Sequence, residues 1–289
     1  SLVFCGTSEF AVPILERLAG NSAFRIDLVI TQPDRPAGRK QELTPSPVKV
    51  AAEKLGLNIA QPEKLNTELF AMSSQLPDRP DYLVVASYGQ LLSDAVLAWP
   101  KIQPVNVHPS LLPRWRGATP LNHTIIGGDR EGGTTIQGMA KAMDAGPTLA
   151  KERVTLDPRE TYQTLHDRLS QLSAPLLEKV LLTKPEPQPQ SEEGITICKK
   201  LSREDGICSS ETMTAEEIDR NVRGLNPWPG VTMDVQGVNL KILETDVSAH
   251  PKAIPVACKE GTLFLVTVQE AGKKAMSGEE WERGQKRLI

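Results

Sequence analysis

Cysteine is scarce in this sequence. Cys5, Cys198, Cys208 and Cys258 are scattered over 289 positions without a CxxC pair. They read as reduced thiols, which excludes a disulfide frame and points to a cytoplasmic protein. Histidine is as sparse. His108, His123, His166 and His250 lack metal-ligand spacing, so no metal site is expected. No apolar run approaches the ~18–20 residues of a membrane helix. The chain opens on a core-like strand, without a signal-peptide pattern. Net positive charge is missing too. The 33 Lys and Arg residues meet 36 Asp and Glu, for a net charge of −3. Adhesion to nucleic acid through an overall field is thereby excluded. A dinucleotide fingerprint is also absent: Gly6-Thr7-Ser8 offers one glycine where G-x-G-x-x-G needs three. Thr7 or Ser8 is instead expected to cap the helix that follows.

What is present suffices for two cores. Apolar residues make up 39% of the chain, and 289 residues are long for one domain and comfortable for two. In the first half, short β-branched runs at residues 2–4, 25–31, 57–60, 82–87 and 102–107 alternate with helical spacings. The helical stretches are residues 10–18, 47–54 and 67–74. This alternation predicts an α/β, Rossmann-like unit with a mainly parallel sheet. Ligands of such sheets bind beyond the carboxyl ends of the strands. Residues 160–182 form a long helical pattern. Residues 183–190 then hold three prolines in eight positions, which reads as a linker. Beyond it, residues 214–224 read as a helix. Short strands at 231–235, 239–244, 254–258 and 263–269 read as a small C-terminal β-barrel, OB-like. The expected division is 1–183 for the catalytic unit, 184–202 for the linker and 203–289 for the barrel.

Charge is uneven along this chain. Residues 201–289 carry 11 basic and 14 acidic side chains, so the whole imbalance lies there. Between Asp94 and Asp129 no acidic residue occurs, whereas Lys101, Arg114 and Arg116 fall in that interval.

The chemistry concentrates at the end of the predicted strand over 102–107. Asn106-Val107-His108 places an amide and an imidazole on one side by period-two alternation. An uncharged N–H donor beside a group that titrates near neutrality suits a carbonyl oxygen that becomes negative under attack. Asp144, in the Gly-bounded segment Met143-Asp144-Ala145-Gly146-Pro147, reads either as a turn carboxylate or as a partly buried acid beside the histidine. Met139 and Met143, at helical spacing, read as core. Residues 32–49 form a long Pro/Gly/charged loop, a length that favours a functional role.

These motifs resemble the folate-dependent formyltransferases, and among them the methionyl-tRNA formyltransferases. The resemblance covers nearly the whole chain. It is carried by residues 3–13 and by Thr31-Gln32-Pro33-Asp34-Arg35-Pro36-Ala37-Gly38-Arg39. Residues 43–49 (Leu-Thr-Pro-Ser-Pro-Val-Lys), 86–92 and 106–117 add to it, as do Met143-Asp144-Ala145-Gly146 and residues 223–230 (Arg-Gly-Leu-Asn-Pro-Trp-Pro-Gly). It implies Asn106, His108 and Asp144 as catalytic residues and 10-formyltetrahydrofolate as co-substrate. The folate would lie along Tyr88, Gly89, Gln90 and Leu91 and along Ser110, Leu111, Leu112 and Pro113. The acceptor would be the methionyl α-amine on initiator tRNA, for translation initiation. The 32–49 loop would meet the tRNA through Arg35, Arg39, Lys40 and Lys49, and the barrel would guide the rest. A monomer that touches no membrane is expected. The chain departs from the family at Lys40-Gln41-Glu42, where more basic residues are usual, and at residues 132–135 and 206–210. The alternatives are a formyltransferase acting on a sugar-nucleotide amine, a 10-formyltetrahydrofolate hydrolase, and a tRNA-binding module without activity.

Overall fold

The structure is a computed structural model, and it describes residues 1–38, 41–69 and 79–285. In chain order the first elements are β1 (Leu2–Gly6), α1 (Val12–Ala19), β2 (Ile26–Ile30), β3 (Arg35–Ala37), β4 (Glu42–Thr44), α2 (Pro47–Lys54), β5 (Ile59–Ala60) and α3 (Leu65–Glu68). Next come β6 (Tyr82–Ala86), α4 (Asp94–Leu97), β7 (Gln103–His108), β8 (Arg116–Gly117), α5 (Pro120–Ile126), β9 (Glu131–Gly138), β10 (Thr148–Thr155) and α6 (Tyr162–Thr183). The chain ends through β11 (Ile197–Cys198), β12 (Ile207–Cys208), α7 (Ala215–Leu225), β13 (Val231–Val235), β14 (Val238–Asp246), β15 (Ile254–Ala257), β16 (Thr262–Glu270), β17 (Met276–Ser277) and α8 (Gly278–Gln285). Two units share these elements. One comprises Ser1–Gly117, Gly132–Val154 and His166–Ile197; the other comprises Ala118–Glu131, Thr155–Leu165 and Cys198–Ile289.

The first unit holds a seven-stranded sheet in the order β10-β9-β7-β6-β1-β2-β5. The pairs β1/β2, β1/β6, β2/β5 and β6/β7 are parallel, as the alternation of runs predicts. β1 (LVFCG) and β6 (YLVVA) are buried along their whole length. That is the near-continuous apolar run a parallel strand needs when both faces are covered. The antiparallel pair β7/β9 departs from the parallel pattern. Its second strand had no clean signal, because Gly132, Gly133 and two threonines dilute the apolar run. A β-branched residue at 133 would not fit: a Cβ there would lie 2.2 Å from the Glu152 carbonyl oxygen.

Local chemistry explains the helix starts. Ser46 precedes Pro47 at the head of α2 and accepts a hydrogen bond from the Lys49 N–H at 3.0 Å. The expected cap at Thr7 or Ser8 does not form. Neither hydroxyl caps the short 3-10 turn Glu9–Ala11; Thr7 Oγ1 donates to the Tyr88 carbonyl (2.9 Å) and Ser8 Oγ donates to Ser87 Oγ (2.7 Å). These hydroxyls tie the end of β1 to the chain just beyond β6 instead. Within residues 32–49, expected as a loop, β3 and β4 pair as a short antiparallel hairpin, Arg35 opposite Thr44. The helix expected over 67–74 is α3 from Leu65, and its continuation past residue 69 lies outside the described residues. Met139 and Met143 are not on a helix. Met139 packs at the edge of a core cluster, whereas Met143 is 53% exposed in the turn that follows β9, so it is not core.

The second unit is β-rich. Six strands run in the order β12-β13-β14-β16-β15, with β17 on β16. α7 starts at a capping box, Thr214 with Glu217. It buries Ile218, Val222 and Leu225 among Val231, Leu240, Leu263 and Trp281. Asp219 on the same helix is buried, and its carboxylate accepts from Arg159 Nη1 (2.9 Å to each oxygen), Arg223 Nε (2.9 Å) and Thr245 Oγ1 (2.8 Å).

Candidate active site

One pair of strands supplies most of the site. In the antiparallel ladder, Asn106 of β7 stands opposite Gln137 of β9, and His108 stands opposite Thr135. Directly opposed residues share a face, so two amides, an imidazole and a hydroxyl gather on one side. The switch from parallel to antiparallel pairing at β7 thus brings β9 side chains beside the end of a parallel strand.

Asp144 arrives from the turn between β9 and β10. The Gly138 N–H donates to the Pro147 carbonyl at 2.9 Å and closes the base of that turn. Gly146 backs onto the same strand; a Cβ there would lie 1.8 Å from the Gly138 oxygen, so only glycine fits. Asp144 itself has φ +50°, in the left-handed region that Asp tolerates better than most residues. Its Oδ1 accepts from Gln137 Nε2 at 2.9 Å and from Asn106 Nδ2 at 3.4 Å. His108 Nδ1 stands 3.6 Å from the same oxygen. Its Oδ2 accepts the Gly117 backbone N–H at 2.9 Å. The carboxylate is therefore held by residues distant in sequence, and it is 12% exposed.

His108 is buried, and its other nitrogen, Nε2, lies 2.9 Å from the Trp115 carbonyl. A carbonyl only accepts, so Nε2 carries the hydrogen. Nδ1 is left facing the Asp144 carboxylate. At 3.6 Å that contact is an ion-pair distance and not yet a hydrogen bond. Trp115 also sits at positive φ (+59°), held by its N–H donating to Thr196 Oγ1 at 2.8 Å. A bulky residue in that region stores on the order of 1–3 kcal/mol, sustained by the contacts around it.

The residues expected to meet a folate divide by placement. Leu91 is 70% exposed. Gly89 lies at φ +91° with open space where a Cβ would stand. Leu111 and Pro113 are half-buried. Tyr88 is buried in the core, where desolvation raises its phenol well above the usual range, and its carbonyl already accepts from Thr7 and Gln32. Gln90 is spent on α3: it accepts from the Leu65 N–H (3.0 Å) and donates to the Glu63 carbonyl (3.1 Å). Ser110 is buried and donates to the Arg114 carbonyl at 2.7 Å. Leu112 is also buried; its N–H donates to Thr135 Oγ1, and its carbonyl accepts from Lys151 Nζ. Desolvation, then the Arg153 charge, lowers the Lys151 ammonium from its ordinary value. An apolar wall at Leu91 beside an open glycine backbone suits a flat ring, whereas Tyr88 and Leu112 are turned into the core.

The cationic candidates are partly engaged. Arg35 pairs with Glu63 at 2.6 Å, and Lys49 pairs with Asp34 at 2.6 Å. The Lys49 hydrogen bond, then that of Gln61, holds the Asp34 carboxyl below its usual range. Arg39 and Lys40 lie outside the described residues. Among those described, no group of three or more His, Cys, Asp or Glu is placed to hold a metal ion, and no helix is long and apolar enough to cross a membrane. A cavity of about 570 Å³ in the second unit, beside Arg159, Asp219 and Arg223, is lined by none of the candidate residues.

Three contributors to the site escaped the sequence reading: Gln137, Gln190 and the Gly117 backbone. Gln137 had a signal, an amide closing the run Thr134-Thr135-Ile136. Gln190 sits in the proline-rich stretch, where composition conceals any contact.

A formyl transferase model matches residues 1–181, and a formyl transferase C-terminal domain model matches residues 200–286. Formyl-group transfer is the class of chemistry that fold and match define together. Methionyl-tRNA formyltransferase from Gluconobacter oxydans is 37% identical over 295 residues, covering 98% of this chain and 96% of its own length. The Enterococcus faecalis enzyme of the same name is 39% identical over 301 residues, covering 98% and 95%. The chain belongs to the methionyl-tRNA formyltransferase family. Solved structures share the fold at low identity. WlaRD, a sugar 3N-formyl transferase determined with dTDP and 5-N-formyl-THF, gives a TM-score of 0.69 at 15% identity, covering 95% of this chain and 98% of its own. HypX from Aquifex aeolicus gives 0.61 at 14% and covers this whole chain, which spans about half (48%) of HypX.

Proposed function

We propose that this chain transfers the formyl group of 10-formyltetrahydrofolate to the α-amine of methionine on initiator tRNA. The observation that carries the reading is the convergence of Asn106 and His108 from β7 with Asp144 from the turn that follows β9. When bound, the folate supplies an activated formyl group. The chain's residues then have separable tasks. Asn106 Nδ2 has a second N–H beyond its long contact to Asp144 and donates it to the formyl oxygen as negative charge develops. One such donor is worth about 3–4 kcal/mol in the transition state. His108 Nδ1 takes the proton from the attacking amine, Asp144 stabilises the resulting imidazolium, and the proton then passes to the folate nitrogen as its bond to the formyl carbon breaks and tetrahydrofolate leaves. An aminoacyl α-amine has a pKa near ~7.7, so a free-base fraction is present at neutral pH. Leu91, Gly89, Leu111 and Pro113 hold the folate, with Ser110 and Leu112 shaping its backbone edge.

On this reading residues 1–183 perform the transfer, 184–202 connect, and 203–289 hold the tRNA, aided by Arg35, Arg39, Lys40 and Lys49. The chain acts in the cytoplasm, as a monomer and without a metal. The test is to incubate the protein with 10-formyltetrahydrofolate and charged initiator tRNA. Formyl-methionine supports the proposal. Formate without formyl-methionine would make the chain a hydrolase, and no folate turnover at all would leave a binding module. Formylation of a sugar-nucleotide amine in place of the aminoacyl-tRNA would move the acceptor.

A further inference from the structure

Asp144 is held by its carboxylate, as described, and also by its backbone. The chain returns past the site after α6. Gln188 exchanges two backbone hydrogen bonds with Thr148 (2.7 and 2.8 Å), which brings the chain at residues 188–190 beside the Asp144 turn. From there the Gln190 side chain enters the site. Its Nε2 donates to the Asp144 carbonyl at 2.8 Å and to the Gly146 carbonyl at 2.7 Å. Gln190 Nε2 also lies 3.4 Å from Gln137 Oε1, but its two short bonds go to the carbonyls that flank Ala145. Its Oε1 accepts from Arg116 Nε at 3.0 Å and Nη2 at 2.7 Å. Reversing the amide would set its oxygen against two carbonyl oxygens and its NH2 against a guanidinium, so one orientation alone is compatible.

Arg116 is no neutral anchor. It lies between Trp115, whose carbonyl meets His108 Nε2, and Gly117, whose N–H meets Asp144 Oδ2. Its own N–H donates to the Thr196 carbonyl at 2.9 Å. One amide therefore joins the backbone that presents Asp144 to the backbone that contacts both His108 and Asp144. It also bridges two residues held at positive φ, Asp144 and, one position from Arg116, Trp115. Strained turns persist only where surrounding contacts determine them, and Gln190 supplies such contacts here.

We propose that Gln190 is a positioning residue for formyl transfer: its amide, oriented by Arg116, fixes the turn that presents the Asp144 carboxylate to His108. The inference rests on the proposed catalytic role of Asp144. It assigns a stretch of composition-biased chain, expected only to connect, a part in the geometry of the reaction. Gln190 reaches neither substrate by this account, so its loss acts on turnover and not on substrate affinity.

Five proteins test it: the parent, Gln190→Leu, Gln190→Glu, Asp144→Asn, and Gln190→Leu combined with Asp144→Asn. Displacing a reacting group by about 1 Å lowers rates roughly 100-fold. Gln190→Leu is expected to lose about that factor in kcat while KM for the folate donor and for the charged tRNA stays within about threefold. Gln190→Glu keeps an acceptor for Arg116 but sets a carboxylate against two carbonyls, so it is expected to lose as much although the strap stays attached. If attachment of the strap were all that mattered, Gln190→Glu would keep the parent kcat, and the proposal would fall. In the Asp144→Asn background, Gln190→Leu is expected to lower kcat by less than about threefold, since there is no carboxylate left to position. Full additivity there would overturn the proposal. A thermal unfolding midpoint accompanies each variant; should Gln190→Leu fail to fold, Gln190→Glu decides. Parent-like turnover in Asp144→Asn alone would overturn the assigned role of Asp144 and this inference with it. Loss there with parent-like turnover in both Gln190 variants would overturn this inference only.

Discussion

Replacing Asp144 by asparagine separates the two tasks this side chain performs. The change is nearly isosteric, but it converts one acceptor oxygen into an NH2 donor. Oδ2 now accepts the Gly117 N–H at 2.9 Å, and Oδ1 accepts Gln137 Nε2 at 2.9 Å. Whichever way the new amide turns, its NH2 faces a donor. The position is 12% exposed, so water replaces little of the lost bond. One unsatisfied, largely buried polar group costs about 1–3 kcal/mol. At roughly 2–4 °C per kcal/mol for proteins of this general size, the unfolding midpoint should fall by a few degrees, up to about 10 °C. Turnover should fall much further. Loss of the charge beside His108 removes the partner of a transferring proton, a contribution of about 10²–10⁴ in rate. The assay pairs a calorimetric scan with single-turnover formation of formyl-methionine under saturating folate, at a temperature well below both transitions. A variant that loses several degrees yet keeps kcat within about threefold of the parent would refute the reasoning. Asp144 would then be a structural carboxylate of the turn.

Further outcomes follow from other parts of the fold. Asp219→Ala strands Arg159 and Arg223 beside a buried gap, and removing one partner of a buried ion pair typically costs 3–5 kcal/mol; a loss below about 1 kcal/mol in urea unfolding would contradict that account. Glu178 is held below the usual carboxylate range by Arg17 first and Asn21 second. A depressed acid stabilises above its unfolded pKa of about 4.3, and that contribution fades as pH falls through the lower folded value. Glu178→Gln should therefore be less stable than the parent at pH 7 and converge with it in acid; a gap constant with pH would refute this. Affinity for charged tRNA should fall with salt at a modest slope, and a slope implying ten or more phosphate contacts would mean the interface is misplaced.

Legibility from sequence varied with the kind of signal. The parallel strands were readable because β1 and β6 are buried on both faces, which forces a continuous apolar run. Asn106 and His108 were readable as a pair because strand alternation is strict. α7 was read as a helix over residues 214–224, and the structure starts it at a Thr214–Glu217 capping box. β9 was not readable, since Gly133 serves close backbone approach to Glu152 and not strand propensity. The Thr7 and Ser8 hydroxyls were misassigned because a cap and a strand-to-strand tie use the same residue types. Gln190 was invisible for a further reason. Its role depends on where a proline-rich segment runs in space, and composition carries no such information.

The charge pattern acquires a physical meaning once partners are visible. The net charge of −3 excluded a general attraction to nucleic acid, and among the described residues the cations Arg35, Lys49, Arg114 and Arg116 are employed within the chain. Arg35 pairs with Glu63, Lys49 pairs with Asp34, the Arg114 guanidinium lies 4.3 Å over the Trp115 ring, and Arg116 grips Gln190. Any phosphate that engages Arg35 or Lys49 must displace a carboxylate already there. For Arg35–Glu63, with both side chains exposed, the net gain is the difference between two ion pairs each worth only about 0–1 kcal/mol. Arg114 and Arg116 are occupied differently: they order the backbone between Pro113 and Gly117 that touches His108 and Asp144. Within the segment from Pro113 to Gly117, a carboxylate would compete with Gln190 for Arg116 and with Asp144 for the Gly117 N–H, so the absence of acid there preserves the arrangement that holds the catalytic candidates in place.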